Sequence, residues 1–178
     1  MKFARPILLF MASIALISCN EKSLQKYLVE KQDYRKFVKV DIPASMLEGK
    51  NSNFSPEEKE ILHTIKKVNV VAYPYKDGDI AQFEMEKKEL QDILNQDKYK
   101  ELTRIKSNDW KATLKYIGEE DAIDEVIVFA SDNERGFALF RLLGENMRTD
   151  QMLQLMNSAE KNKLDFSQFE GLFNGFKD

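Results

Sequence analysis

The chain has 178 residues, with 27 basic and 30 acidic side chains, a formal charge of −3, one cysteine and one histidine. Net acidity with dispersed lysines leaves no electrostatic footprint for nucleic acid and no polybasic patch for anionic lipid. One cysteine and one histidine are too few ligands for a zinc or iron site, and the seven glycines match neither a phosphate loop nor a dinucleotide fingerprint.

Met1 to Pro6 carries two bases, Lys2 and Arg5, and Ile7 to Ile17 follows without a charge. That run is shorter than the roughly 20 apolar residues that cross a bilayer. It fits the roughly 7–15 of a secretory signal core. Leu16-Ile17-Ser18-Cys19 resembles the lipobox of bacterial lipoproteins. The resemblance implies cleavage before Cys19 and acylation of its thiol, with residues 1–18 as signal and 19–23 as a short tether. A lone cysteine is otherwise a frequent core residue, but the flanks and length of residues 1–18 do not suit a core helix. An acylated cysteine forms no disulfide, so stability rests on the core. Losing Lys2 and Arg5 with the signal takes the formal charge to −5. Residues 24–178 are long enough for one domain with a real core. Asn20 rather than Asp at the second mature position points to the outer membrane of a Gram-negative cell, at its periplasmic face.

Leu24, Tyr27, Leu28 and Tyr34 form a helical stripe over 23–34. Val38, Val40 and Ile42 alternate with Lys39 and Asp41, a strand closed by Pro43. After a polar loop over 48–54, Ser55-Pro56-Glu57-Glu58 supplies an N-cap, a first-turn proline and a capping-box glutamate. The spacing predicts a helix from there to about Lys67, burying Ile61, Leu62 and Ile65. Val68 to Tyr73 is a continuous apolar run, a strand buried on both faces, ended by Pro74 and Lys76-Asp77-Gly78-Asp79.

Met85 to Ile105 reads as helix, with Leu90, Ile93 and Leu94 continued by Tyr99, Leu102 and Ile105; Asn95-Gln96-Asp97 is where it can break. Trp110, Ala112, Leu114 and Tyr116 alternate with Lys111, Thr113 and Lys115, a strand with one wet face, its apolar side expected in the core. Glu125 to Ser131 and Gly136 to Leu143 are two further strands around the turn formers Asp132-Asn133-Glu134-Arg135. Thr149 to Ser158 is a helix burying Met152, Leu155 and Met156. The order predicts an α+β domain: a mixed, largely antiparallel sheet of about five strands with helices packed on one face.

The stretches VDIPASML (40–47), FSPEEKEIL (54–62) and VIVFASDNERGFALFRLLGENM (126–147) resemble the DUF4252 family of small bacterial lipoproteins, from about Leu24 to Phe173. These are strand and turn segments without a chemical motif. The resemblance therefore implies a fold and an address, and carries over no catalytic or binding residue.

His63 falls on the wet side of its helix beside Lys59 and Lys67, the place of an ordinary surface histidine rather than a triad member. Glu119, Glu120, Asp121, Asp124 and Glu125 form the densest carboxylate run. Such a run offers oxygen ligands to calcium, but it lacks EF-hand spacing and suits a solvated turn. Phe166, Phe169, Leu172, Phe173 and Phe176 draw one helical face, weakened by Gly171 and Gly175; it either closes the core or docks a partner. Two functions stay open. The preferred one is a non-catalytic envelope domain that binds a partner, an envelope protein or a ligand, without cofactor, nucleotide or nucleic acid. The alternative is a carboxylate-dependent hydrolase acting on envelope material.

Overall fold

Backbone pairing between strands of alternating or continuous apolar character organises the domain. The computed structural model describes residues 22–47, 53–75, 80–107 and 110–160. Among them the elements run α1 (Leu24–Glu30), β1 (Val38–Pro43), α2 (Pro56–Thr64), β2 (Ile65–Pro74), α3 (Ile80–Leu94), β3 (Lys100–Lys106), β4 (Trp110–Glu119), β5 (Ala122–Asp132), β6 (Gly136–Met147) and α4 (Thr149–Glu160). The six strands form one sheet in the order β1-β2-β6-β5-β4-β3, every neighbouring pair antiparallel. The class is α+β.

Three expectations are corrected. The sheet is antiparallel throughout rather than mixed. The strand count is six, because β3 lies where the helix to Ile105 was expected. A bulge between Glu101 and Thr103 inserts one residue into β3. Partly buried Leu102 and Ile105 consequently sit three apart in a strand, the spacing of a helix face. Helices also lie on both faces of the sheet, not one. Ile61 and Leu62 of α2 and Met152 and Leu155 of α4 share a core with Val68, Val70 and Val126. Leu24 and Tyr27 of α1 and Phe83 and Leu90 of α3 share another with Val71, Tyr73 and Ile127. Successive strand residues point to opposite faces, so the continuous runs in β2 and β5 require cover on both.

The capping box forms as expected. The Ser55 hydroxyl accepts from the Glu58 amide at 3.2 Å, and the Glu58 carboxylate accepts from the Ser55 amide at 2.7 Å. Glu58 is buried and also accepts from the Ser158 hydroxyl, so the cap joins α2 to α4. Extended backbone at Ile65 ends α2, three residues earlier than the periodicity implied at Lys67. The turn after β5 closes when the Asp132 carboxylate accepts from the amides of Glu134 and Arg135, at 2.8 and 3.0 Å. Among the described residues no helix is long and apolar enough to cross a membrane.

Candidate functional site

The helix α3 is tied to its surroundings along its length. Glu86, 1% exposed, accepts from the Tyr27 hydroxyl at 3.1 Å, the Lys31 ammonium at 2.6 Å and the Gln82 amide at 2.8 Å. Lys22 pairs with Glu89 and Glu30, and its carbonyl accepts from the Gln96 side chain at 2.8 Å. From the sheet, Lys115 donates to the Leu94 carbonyl at 2.7 Å, satisfying one of the acceptors left open at a helix C-terminus.

Beside this fixed helix, over the edge of the sheet, lies a cleft of about 710 Å³. Its helical wall presents Glu84, Lys88 and Asp92. The floor presents Arg104 and Lys106 of β3, Lys111, Thr113 and Lys115 of β4, and Ser131 of β5. Alternation along β4 puts Lys111, Thr113 and Lys115 on one face. The register sets Lys106 opposite Lys111, Lys111 opposite Ser131, and Arg104 opposite Thr113.

Most of the cleft charges are satisfied locally. Lys88 pairs with Asp92 at 2.6 Å, Glu84 with Lys87 at 3.3 Å, and Arg104 with Glu101 at 2.6 Å. Lys106 and Lys111 have no acidic partner among the described residues. Like charges directly opposite in a strand pair are unfavourable. A lysine on the edge strand β3 discourages pairing with another chain, which accounts for Lys106. Lys111 lies one strand inward and has no such explanation.

The residues singled out from the sequence lie elsewhere. Leu16, Ile17, Ser18 and Cys19 fall outside the described residues, as do Phe166, Phe169, Leu172, Phe173 and Phe176. Glu119, Glu120, Asp121 and Asp124 are exposed on the β4–β5 hairpin. Glu125 leaves them: it is buried and bonded to Arg141 at 2.7 Å. Among the described residues no three His, Cys, Asp or Glu side chains converge to hold a metal ion. His63 is exposed on α2, where its position on the helix implied. Leu114 and Tyr116 are buried as expected, whereas Trp110 is 41% exposed.

The facing lysines are missed in the sequence because a helix expected as far as Ile105 leaves no strand to set Lys106 against Lys111. A signal was present. Ser107-Asn108-Asp109 are turn formers between Lys106 and Lys111, and a hairpin there sets the two lysines opposite each other. The Ser107 amide does donate to the Trp110 carbonyl, at 2.9 Å.

A family model described as "Domain of unknown function (DUF4252)" matches residues 30–155, and the chain belongs to that family. The match is narrower at both ends than the resemblance from Leu24 to Phe173, and it takes in every residue of the cleft. No curated protein and no solved structure matches the chain.

Proposed function

We propose that this member of the DUF4252 family is a non-catalytic binding domain of a bacterial cell envelope, anchored to the outer membrane through acylated Cys19 and facing the periplasm. The observation that carries the binding half is the open, cation-floored cleft beside α3. Its two lining carboxylates, Glu84 and Asp92, stand two turns apart on one helix, about 12 Å along its axis. Glycoside hydrolysis sets its two acids roughly 5–9.5 Å apart. Each carboxylate is also neutralised by a lysine of its own helix. The arrangement favours binding over the carboxylate-dependent hydrolase.

The anchoring half rests on the sequence from Met1 to Cys19. One acyl chain holds a membrane only marginally and two or more hold it stably. Lysine-reactive cross-linking in cells tests both halves. A reproducible partner, captured by the native chain and lost from a Cys19→Ala variant, is the expected result. Cross-links at Lys106 or Lys111 would place the contact at the cleft. Cross-links at Lys163 or Lys177 would place it on the Phe-rich segment from Phe166 to Phe176. Capture no greater than background, or unchanged in the variant, would sink the reading.

A further inference from the structure

We propose that the cleft between α3 and strands β3 to β5 is a binding site for a phosphate ester. This rests on the binding reading above and names the ligand class. Lys106 and Lys111 face each other across the strand pair, and such partners have Cβ atoms about 4.5–5.5 Å apart. Their flexible stems let both ammonium groups converge on one oxyanion, which relieves the repulsion that the empty pair carries. Ser131 lies directly across from Lys111, and Thr113 is two residues along the same face. Their hydroxyls add donors beside the two charges.

Arg104 is opposite Thr113, and one of its guanidinium nitrogens bonds Glu101. Arginine has five N–H donors, so others remain for a second oxygen. The cleft therefore gathers five cations against two acids in a chain of net charge −3. Three of those cations are held by Asp92, by Glu101 and by the Leu94 carbonyl at the end of α3. The two lysines without an acidic partner among the described residues share the face with the Thr113 and Ser131 hydroxyls, the donor set that phosphate oxygens accept from. A volume of about 710 Å³ is in the range of organic-ligand sites, which favours an ester over the bare ion.

Chain length also lets the proposed anchor reach the site. Lys22 packs against α3 beside Lys88 and Asp92, which line the cleft on the helix's other side. Cys19 stands three residues before Lys22, at most about 10 Å of extended chain, and a helix is about 10–12 Å across. A phospholipid headgroup of the anchoring membrane and a soluble phosphate ester share the chemistry, and the short tether leaves either within reach of the cleft.

The test uses the full chain purified from membranes into nanodiscs, read by the amide resonances of Thr113 and Ser131. Glycerol 3-phosphate is titrated into discs of phosphatidylcholine, and separate discs carry phosphatidylglycerol as well. Shifts with glycerol 3-phosphate identify a soluble ester as the source; shifts only in phosphatidylglycerol discs identify the headgroup. A Lys106→Gln, Lys111→Gln variant is expected to weaken either response roughly 30-fold, from about fivefold per lysine, with its other resonances unmoved. Added salt is expected to weaken the response as well. No shift with either probe at low ionic strength, or equal affinity in the variant, would overturn the proposal. Mass spectrometry of the N-terminus of the same preparation reads acylation separately. An acylated chain with a silent cleft sinks the ligand and leaves the anchor; an unacylated chain that binds glycerol 3-phosphate does the reverse.

Discussion

Replacing Glu86 with alanine is expected to destabilise the domain by on the order of 3–5 kcal/mol, the usual result of removing one partner from a buried ion pair. Glu86 is 1% exposed and collects three donors, from Tyr27, Lys31 and Gln82. Without it, the ammonium of Lys31 stays largely enclosed, at 15% exposure, with only the more distant Glu89 carboxylate, at 3.5 Å, to face. The Tyr27 hydroxyl loses its acceptor in a fully buried site. Urea unfolding measures the loss directly. A triple variant, Lys31→Met, Glu86→Leu and Tyr27→Phe, is expected to recover most of it, since an apolar replacement of a buried pair is often neutral. A loss below about 1 kcal/mol in the single variant would mean that water replaces the missing carboxylate.

The same network sets an alkaline limit. Burial raises the Tyr27 pKa well above that of an ordinary tyrosine, and the Glu86 carboxylate beside it raises it further. A folded-state pKa above the unfolded value means that the folded protein keeps a proton which the unfolded chain releases. The stabilisation is therefore complete below about pH 10, the unfolded value, and is lost as pH rises beyond it, by about 1.4 kcal/mol per pH unit. Tyr27→Phe is expected to flatten that decline. An unchanged alkaline slope in Tyr27→Phe would assign the decline to another group, of which Tyr99, also raised by burial, is the first to examine.

Periodicity recovered the elements that obey one period throughout. The capping box at Ser55, the alternation from Trp110 to Tyr116 and the turn after Asp132 each carry a local signal, and each formed. The strand β3 failed because its bulge replaces a period of two with a spacing of three, and only the partner strand reveals the extra residue. Cover on both faces was legible in principle. Val68 to Tyr73 reads as a strand buried on both sides, and that reading is incompatible with helices confined to one. The basic cleft was invisible for another reason: net charge counts residues, whereas the patch arises from register. Lys106, Lys111 and Arg104 come together with Ser131, 20 to 27 residues away in sequence, only once β3, β4 and β5 pair. Lysines scattered along the chain thus come to share one face of the sheet.

Gly136→Ala is expected to be as damaging as the loss of Glu86, on the order of 3–5 kcal/mol, for a reason that lies in the backbone. Gly136 opens β6 with φ at +123°, a conformation that residues with a side chain rarely adopt. A Cβ there would stand 2.1 Å from the Tyr73 carbonyl oxygen and 2.7 Å from the Tyr75 amide nitrogen. Both are main-chain atoms, so no flexible side chain can swing aside; the end of β2 itself must move. That end carries the Tyr73 ring, stacked on Phe137 at 5.5 Å in the core beneath α3. Displacement there reaches the sheet and the helix that together frame the cleft. Strain from the dihedral accounts for about 1–3 kcal/mol and overpacking for a similar amount. Urea midpoints measure the sum, and an unchanged m value would show that the unfolded state is not its source. Asn133→Ala, in the same turn but exposed, is the matched control and is expected to stay within about 0.5 kcal/mol of the native protein. Equal losses in both variants would assign the effect to the turn as a whole, and the argument from close approach at Gly136 would fail.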